Sequence, residues 1–471
     1  MTKPRLIALA AAALLASCSM MPSHERPPSP VPAAWPGEAT AASGASAAAE
    51  LAWQDFFSDA RLKQLIALAL AHNRDLRVAV LNIEQARAQF QIRRADLFPT
   101  VNLAATGSRV PNSSGGMTSS YNAGVAITSW ELDFFGRVAS IKEAALAQYL
   151  ATEESRKAVQ ISLVAAVANG WLNLLADEEL LDLTRRTLLT REESVKLTKL
   201  RFDHGVASEL DYRQAESLLE GARAAMAQQQ RQRALDENAL VLLLGQPLPP
   251  QLSPDTGGLA GAGLLPELPA GLPSELLTLR PDIRQAEQQL IAANANIGAA
   301  RAAFFPRITL TGGFGTASSH LSGLFASGSW GWTLAPQALL TIFDAGRNQA
   351  GLESATAGRD LAVAQYEKAI QTAFREVADA LAGRATLGEQ LRAQQAQAQA
   401  ESVRFQLSDL RYRSGVASYL DLLDAQRSLF AAQQAVVQTR LAQLQNQVTL
   451  YKTLGGGWQD SAHAAARPVS R

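Results

Sequence analysis

Apolar residues alternate with small or polar residues over four segments, at about 100–108, 121–132, 307–316 and 329–340. Alternation with a period of two, over a length that crosses a bilayer, is typical of the strands of a membrane β-barrel. Half-buried strands of soluble proteins show the same alternation, so the pattern alone leaves both interpretations open. The four segments predict two β-hairpins.

The loops inside these hairpins, at about 109–120 and 317–328, are rich in Gly and Ser, as expected for exposed tips. Trp130, Trp330 and Trp332 suit the aromatic girdle that membrane barrels carry at the bilayer surface. The hairpins are therefore candidate membrane elements.

Long helices are predicted for most of the remaining chain. Two segments, 136–202 and 346–412, contain no proline and are dense in residues that favour helix. Each spans 67 residues, so a continuous helix would be ~100 Å long at ~1.5 Å per residue. Shorter helices are expected at about 73–97, 208–244, 281–304 and 418–454. Two short helices, stacked end to end, would match the length of one long helix and pack antiparallel to it.

The chain contains an internal duplication, because GVASELD returns as GVASYLD at an offset of 421 − 211 = 210 residues. Such a repeat determines the fold and has to be recognised first. Gly205 and Gly415 suit the left-handed position that follows a helix. Repeat 1 is assigned to 53–245 and repeat 2 to 274–455, each with the order helix, hairpin, long helix, helix.

The segments outside the repeats differ in composition. Residues 1–17 are typical of a signal peptide, with a basic start and a short apolar run. Residues 18–52 are rich in Pro and Ala and are interpreted as a tether, in which Trp35 is expected to dock on the folded body. Residues 246–273 form a linker, and 456–471 are predicted to be a disordered tail.

Charge and composition exclude several classes of function. Lys and Arg total 43, as do Asp and Glu, so the net charge of zero gives no reason to expect nucleic-acid binding. The five His are scattered, without the spacing of a metal site. No set of catalytic residues and no phosphate loop is present in the sequence, so we expect no enzyme activity and no metal.

Cys18 is the single cysteine and follows Leu-Ala-Ser. This sequence resembles the bacterial lipobox, in which the cysteine is acylated and becomes the mature N-terminus. Ser19, where an aspartate would indicate retention in the inner membrane, points to the outer membrane. The alternative is plain cleavage near Ala16, which would leave an unpaired thiol, and an exported protein rarely keeps one. We therefore expect a covalent lipid on Cys18 and no other cofactor.

Four strands are too few to close a barrel, and an open sheet edge is not tolerated in lipid. Two copies of the chain would give eight strands, which side chains fill, and three copies would give twelve, which leave room for a channel. A pore therefore requires a homo-oligomer.

Several longer motifs carry a resemblance to a known family. They include SWELDFFGR at 129–137, LRPDIRQAE at 279–287, IFDAGR at 342–347 and YLDLLDAQRSLF at 419–430. These residues resemble the outer-membrane efflux protein family, which is TolC-like. They are most similar to its lipidated OprM/NodT-type channels, which serve tripartite pumps of the resistance-nodulation-division (RND) class. The resemblance extends over nearly the whole chain.

The resemblance implies a mostly α-helical fold with a membrane β-barrel portion. Three copies would form a twelve-stranded β-barrel in the outer membrane, continued by a long periplasmic α-helical barrel. The implied function is a passive, gated exit duct for small molecules such as drugs. The implied partners are two further copies of the chain, a periplasmic adaptor protein, an inner-membrane RND transporter and outer-membrane lipid, but no nucleic acid. The implied location is the outer membrane, lipid-anchored and extending into the periplasm.

The resemblance also implies a gate at the periplasmic tip, where the two GVAS motifs lie. The gate residues carried over are Asp211, Tyr412, Asp421, Asp424 and Arg427. In a threefold tube, Asp421 and Asp424 would each form a ring of three carboxylates that attracts cations, and Arg427 would latch neighbouring helices.

The loops at the same tip, which contain Gly205, Val206, Gly415 and Val416, are the expected docking site for the adaptor. Ala207 and Ala417 lie where TolC itself carries polar or basic partners of its gate, so the latch is expected to follow the lipidated branch of the family.

Two simpler interpretations of the gate residues stay open at this point. Asp211 and Asp421 lie three residues after a serine, where they would cap the following helix. Asp424 and Arg427 lie three residues apart on one helix, where they would form a solvated ion pair worth ~0.2–0.5 kcal/mol.

Two other functions also stay open. One is the outer-membrane duct of type I protein secretion. A lipobox alone does not distinguish the duct of a drug pump from such a secretion duct. The other is a lipid-anchored periplasmic scaffold of coiled coils, although the alternating strands and the lack of a sustained heptad pattern argue against it. The sequence names neither the substrates nor the cognate adaptor and transporter.

Overall fold

The computed structural model describes residues 20–36, 51–113, 115–254, 257–262, 268 and 276–459. Cys18 and the predicted signal peptide, 1–17, lie outside the described residues, as do parts of the predicted tether, linker and tail.

Helices make up most of the described chain, and four strands accompany them. The helices are α1 Trp53–Phe56, α2 Ala60–His72, α3 Arg74–Ala95, α4 Arg137–Asp203, α5 Glu209–Leu244, α6 Leu276–Leu279, α7 Pro281–Ala302, α8 Arg347–Arg413 and α9 Tyr419–Thr453. The strands are β1 Val101–Pro111, β2 Met117–Glu131, β3 Arg307–Ser318 and β4 Trp330–Leu339. Each repeat therefore has the order helix, hairpin, long helix, helix.

The two long helices, α4 and α8, have 67 residues each, because neither contains a proline to interrupt it. Both end in the same turn. Gly205 and Gly415 adopt φ of 70° and 73°, and the next residues, Val206 and Val416, donate backbone hydrogen bonds of 2.8 and 3.0 Å back into the last helical turn. This is the Schellman arrangement, which requires a residue that tolerates left-handed backbone.

The helices that follow begin at serine caps. Ser208 and Asp211 form a complete capping box at the start of α5, with each side chain accepting a hydrogen bond from the other residue's backbone N–H. At the start of α9, Ser418 Oγ accepts from the Asp421 N–H at 3.3 Å. Among the described residues, the Asp421 carboxylate accepts no hydrogen bond from the Ser418 N–H, so the full capping box forms in repeat 1 and only half of it in repeat 2.

The four strands form one antiparallel sheet in the order β1-β2-β3-β4. Each strand pairs with its neighbour in sequence order, even though β2 and β3 come from different repeats. A shift in register between Ile127 and Trp130 interrupts the β2–β3 pairing, and Ser129 at this point has φ of 50°. The bulge is a local irregularity that the alternation in the sequence did not indicate.

The chain forms two compact units. One comprises 20–28, Leu81–Glu154 and Arg284–Lys368 and contains the sheet. The other comprises the described parts of Ser29–Val80, Ser155–Ile283 and Ala369–Arg471 and is helical.

The core of the helical unit is built around large aromatic residues. Tyr451 is 2% exposed, stacks on Phe56 with ring centroids 4.0 Å apart, and donates its hydroxyl to the Leu51 carbonyl. Trp171, fully buried, donates its indole N–H to Asp59 at 2.8 Å. The most apolar stretch of α4, which is apolar enough to cross a bilayer, is 61% buried in the protein and is therefore core.

Contacts are present in two of the segments that flank the repeats, the predicted tether and the start of the predicted tail. Trp35 docks as expected, since it is 4% exposed and stacks on Phe374 with ring centroids 4.8 Å apart. Residues 456–459, at the start of the predicted tail, lie within the described residues and make contacts with α4, whereas 460–471 lie outside the described residues. Gln160 donates to the Trp458 carbonyl at 3.3 Å, and the Lys157 ammonium lies 5.0 Å from the Trp458 ring. The ring and the carbonyl of Trp458 therefore hold this segment against α4.

Candidate functional site

One face of the sheet is apolar and exposed. Leu103, Val125, Phe314 and Trp332 are directly paired across the four strands, so their side chains lie in one row on one face. They are 85%, 43%, 60% and 75% exposed. A row of large apolar side chains open to the surroundings across a whole sheet is what a lipid-facing surface requires.

On the opposite face of the same strands, one row consists only of alanine and glycine. Ala104, Gly124, Gly315 and Gly331 form the next row across the sheet. A Cβ atom on Gly124 would lie 2.5 Å from the Gly315 Cα, closer than any real contact. The two strands therefore approach each other at a point where only glycine fits.

The sheet has two open edges. The outer strands β1 and β4 each pair with one neighbour, and within the described residues nothing pairs with their other edges. Unpaired backbone groups in lipid cost several kcal/mol each, on the order of a lost hydrogen bond or more. An apolar sheet with two open edges is thus incomplete as a membrane structure and requires strands from other copies of the chain.

The turns that follow α4 and α8 expose apolar residues. Val206 is 65% exposed and Val416 is 70% exposed, directly after Gly205 and Gly415. The predicted docking residues of both repeats are therefore on the surface in the same local conformation.

The predicted gate residues of α9, Asp421, Asp424 and Arg427, lie on its exposed side. The Asp424 carboxylate accepts a hydrogen bond from the Arg404 guanidinium on α8. Arg404 also contacts Glu401 at 3.2 Å and Ser428 at 3.4 Å. The simple intrahelical pair of Asp424 with Arg427 is not formed.

Arg427 lies instead near Arg191 of α4, close enough for its charge to lower the pKa of Arg191, an effect second to that of burial. Asp421 is exposed beside its capping serine, and Asp211 is held in the capping box. The structure therefore supports capping for Asp211 and places Arg427 away from a carboxylate.

Tyr412 is half-buried at the junction of the two helix pairs. The Arg201 guanidinium lies 4.9 Å from its ring, and the Tyr419 ring lies 5.2 Å away. Burial raises the pKa of Tyr412. Tyr419 is 4% exposed, and its hydroxyl forms a hydrogen bond of 2.8 Å with Ser194 Oγ on α4. Contacts of α4 with α9 therefore join the two repeats beside the tip.

Sequence reasoning missed Arg404, Tyr419, Ser194 and Arg201 as parts of this region. One signal was present in the repeat itself. At the 210-residue offset, Tyr419 replaces a glutamate and Arg404 replaces Ser194, so the two repeats differ at these contacts. Positions at which a duplication breaks are candidates for contacts that only one repeat makes or that join the two repeats.

Among the described residues, no group of His, Cys, Asp or Glu has the geometry to hold a metal ion. The features of the site are therefore a surface for lipid, a narrow apolar tip and a set of ion pairs.

Comparison with known proteins matches both repeats and extends over the full chain. The family model described as outer membrane efflux protein matches residues 65–246 and 272–456, which correspond to the two repeats. The toluene efflux pump outer membrane protein TtgC of Pseudomonas putida is 48% identical over 480 residues, covering 100% of this chain and 99% of TtgC.

Solved structures agree with the sequence comparison. A membrane protein from Pseudomonas aeruginosa superimposes with a TM-score of 0.87 at 46% identity, covering 93% of this chain and 100% of that one. The open state of the Neisseria gonorrhoeae MtrE outer membrane channel superimposes with a TM-score of 0.86 at 43% identity, covering 94% and 99%.

Proposed function

Because the chain belongs to the outer membrane efflux protein family, we propose that it is the exit duct of a tripartite RND-type efflux pump. In this role it passes small organic molecules across the outer membrane and is a duct rather than an enzyme. The observation that carries the proposal is the exposed apolar row Leu103, Val125, Phe314 and Trp332 on a sheet with two open edges.

Three copies of the chain complete the sheet. Three sets of four strands give 3 × 4 = 12 strands, and pairing of β4 of one copy with β1 of the next removes every open edge. With the apolar row toward lipid, the row of Ala104, Gly124, Gly315 and Gly331 faces the lumen. Because this row carries no side chain larger than a methyl group, it leaves the lumen wide at its level.

The long helices continue the duct into the periplasm. Helices α4 and α8, each ~100 Å long at ~1.5 Å per residue, supply the length that a periplasmic tunnel needs. The exposed Val206 and Val416 at the turns give an apolar docking surface for a periplasmic adaptor, through which an inner-membrane RND transporter delivers its substrates.

Acylation of Cys18 would anchor each copy to the outer membrane, and the packed segment from 20 to 36 would fix the start of the chain to the folded body. The relative TtgC is named for toluene efflux, which supports small apolar organic molecules as the substrate class of this chain. The same comparison favours the drug and solvent pumps over type I protein secretion.

The tip is proposed to form the gate. In a threefold assembly, Asp421 and Asp424 give six carboxylates around the axis, and Arg404 holds Asp424 to the neighbouring helix. Opening then requires α8 and α9 to separate, so that the Asp424 carboxylate leaves Arg404. Tyr412 and Asp211 contribute packing and a helix cap beside this contact.

Two measurements test the proposal. The purified full chain should give a steady, cation-selective conductance in planar bilayers. In a host that has no other outer-membrane exit duct, the chain together with its pump partners should lower the accumulation of toluene or a dye substrate. Folded protein that never conducts, and a host in which accumulation is unchanged, would contradict the function.

A further inference from the structure

A cavity of about 250 Å³ lies among helices α4, α8 and α9 in the helical unit. Its walls combine apolar and polar side chains. Leu183, Phe405, Leu429 and Phe430 supply the apolar part, and Arg191 supplies a cation. By the same measure of volume one water needs only ~10–15 Å³, so the cavity has room for one small organic molecule.

Arg191 is buried but incompletely satisfied. Its side chain is 7% exposed, and its guanidinium makes one hydrogen bond, of 2.9 Å, to the Leu218 carbonyl. The Arg191 Nε–H has no partner within the described residues. Burying a donor of a charged group without a partner is costly, since the group loses its water and gains nothing in return.

The charge of Arg191 is also uncompensated. Burial and the neighbouring Arg427 lower its pKa, but a guanidinium stays protonated in proteins. Within the described residues, no carboxylate forms an ion pair with either Arg191 or Arg427. Arg186, the other arginine in the cavity wall, is neutralised by Asp182 at 3.0 Å. Two close cations therefore lack the anion that would stabilise them.

The aromatic side chains in the cavity wall favour a ligand with an apolar part. Arg191 lies 5.4 Å from the Phe430 ring, which stabilises the guanidinium and holds it against an apolar surface. A ligand that fills the cavity would place its apolar part against Phe405 and Leu429 and its anionic end at the unpaired Arg191 Nε–H.

We infer that this cavity is a binding site for a small aromatic carboxylate, held by Arg191 between the two helix pairs. A bound carboxylate bridges α4 to α9, beside the contacts that join the repeats. The site does not depend on the function proposed above, because its ligand contacts one chain and is measured without transport.

The test is a titration of the purified full chain in non-ionic detergent with 4-fluorobenzoate, followed by ¹⁹F NMR. Saturable binding is expected, and the neutral 4-fluorobenzyl alcohol should not compete. Arg191→Gln should weaken binding about tenfold or more, as expected for loss of a charge-assisted hydrogen bond. Arg427→Gln removes a nearby positive charge at an exposed position, outside the cavity wall, and should weaken binding less than Arg191→Gln does.

Arg440→Gln serves as the matched control, because Arg440 lies on the same helix 440 − 427 = 13 residues away, ~20 Å along the axis. It should bind like the wild type. Equal binding of the alcohol and the carboxylate, or equal binding by the wild type and a folded Arg191→Gln variant, would overturn the inference.

Discussion

Arg404 on α8 holds Asp424 on α9 by a direct hydrogen bond between guanidinium and carboxylate, across two helices of the same repeat. Both side chains are about half exposed, so the contact is accessible and reversible. An exposed pair of this kind contributes little to the stability of the fold, so its loss can shift the balance between two states of a gate without unfolding the chain.

Removing this contact should open the tip. Asp424→Ala and Arg404→Ala should each raise the single-channel conductance several-fold, because α9 is no longer tied to α8. The melting temperature should hardly change, since exposed ion pairs contribute little. Arg427→Ala is the matched control, because Arg427 has no contact with Asp424. Equal conductance in all variants would place the gate elsewhere.

The two faces of the sheet should respond oppositely to charge. Leu103→Arg puts a cation in the lipid-facing row, which costs ~2–4 kcal/mol at the middle of the bilayer, and should reduce the yield of assembled protein in outer-membrane fractions. Ala104→Arg, one residue away on the other face, should assemble normally and shift ion selectivity toward anions. Similar losses for both substitutions would show that the lipid-facing side has been assigned incorrectly.

The close contact between β2 and β3 should not tolerate a methyl group. Gly124→Ala and Gly315→Ala each place a Cβ within about 2.6 Å of the facing strand's backbone, and should destabilise the sheet by ~1–3 kcal/mol as overpacking does. Gly331→Ala is the matched control, because no atom lies within 4 Å of its Cβ position. Denaturant unfolding of the three variants in detergent measures the difference, and three equal midpoints would refute it.

A buried acid should make stability depend on pH. Burial, together with a hydrogen bond to Asp236 and the charge of that residue, raises the pKa of Asp177 to about 7. Its pKa in the unfolded chain is near 3.8, so between these two values the folded state binds more protons than the unfolded state. Stability is therefore highest at the acid end of this window and falls as pH rises through about 7.

Thermal melts at several pH values between 4 and 8, about the span of the two pKa values, measure this effect. Asp177→Asn should flatten the decline. Asp182→Asn, at an exposed carboxylate paired with Arg186, should keep the decline. A melting temperature that rises from acid to neutral pH in the wild type would contradict the assignment.

The sequence was sufficient to predict the helices, the strands and the two faces of the sheet. Alternation placed Leu103 and Ala104 on opposite faces, and the absence of proline predicted both long helices. Side-chain contacts between helices were harder to predict. The Arg404–Asp424 contact joins residues 20 apart on different helices, and its formation depends on the register of α8 against α9. No local pattern encodes that register.

The central claim is that three copies of the chain close one barrel. Native mass spectrometry of protein extracted from the outer membrane tests it directly. The account predicts a single assembly of three times 50.2 kDa, adjusted for removal of the signal peptide and addition of lipid. A folded monomer or dimer of otherwise intact chains would leave the edges of β1 and β4 open and would contradict the account.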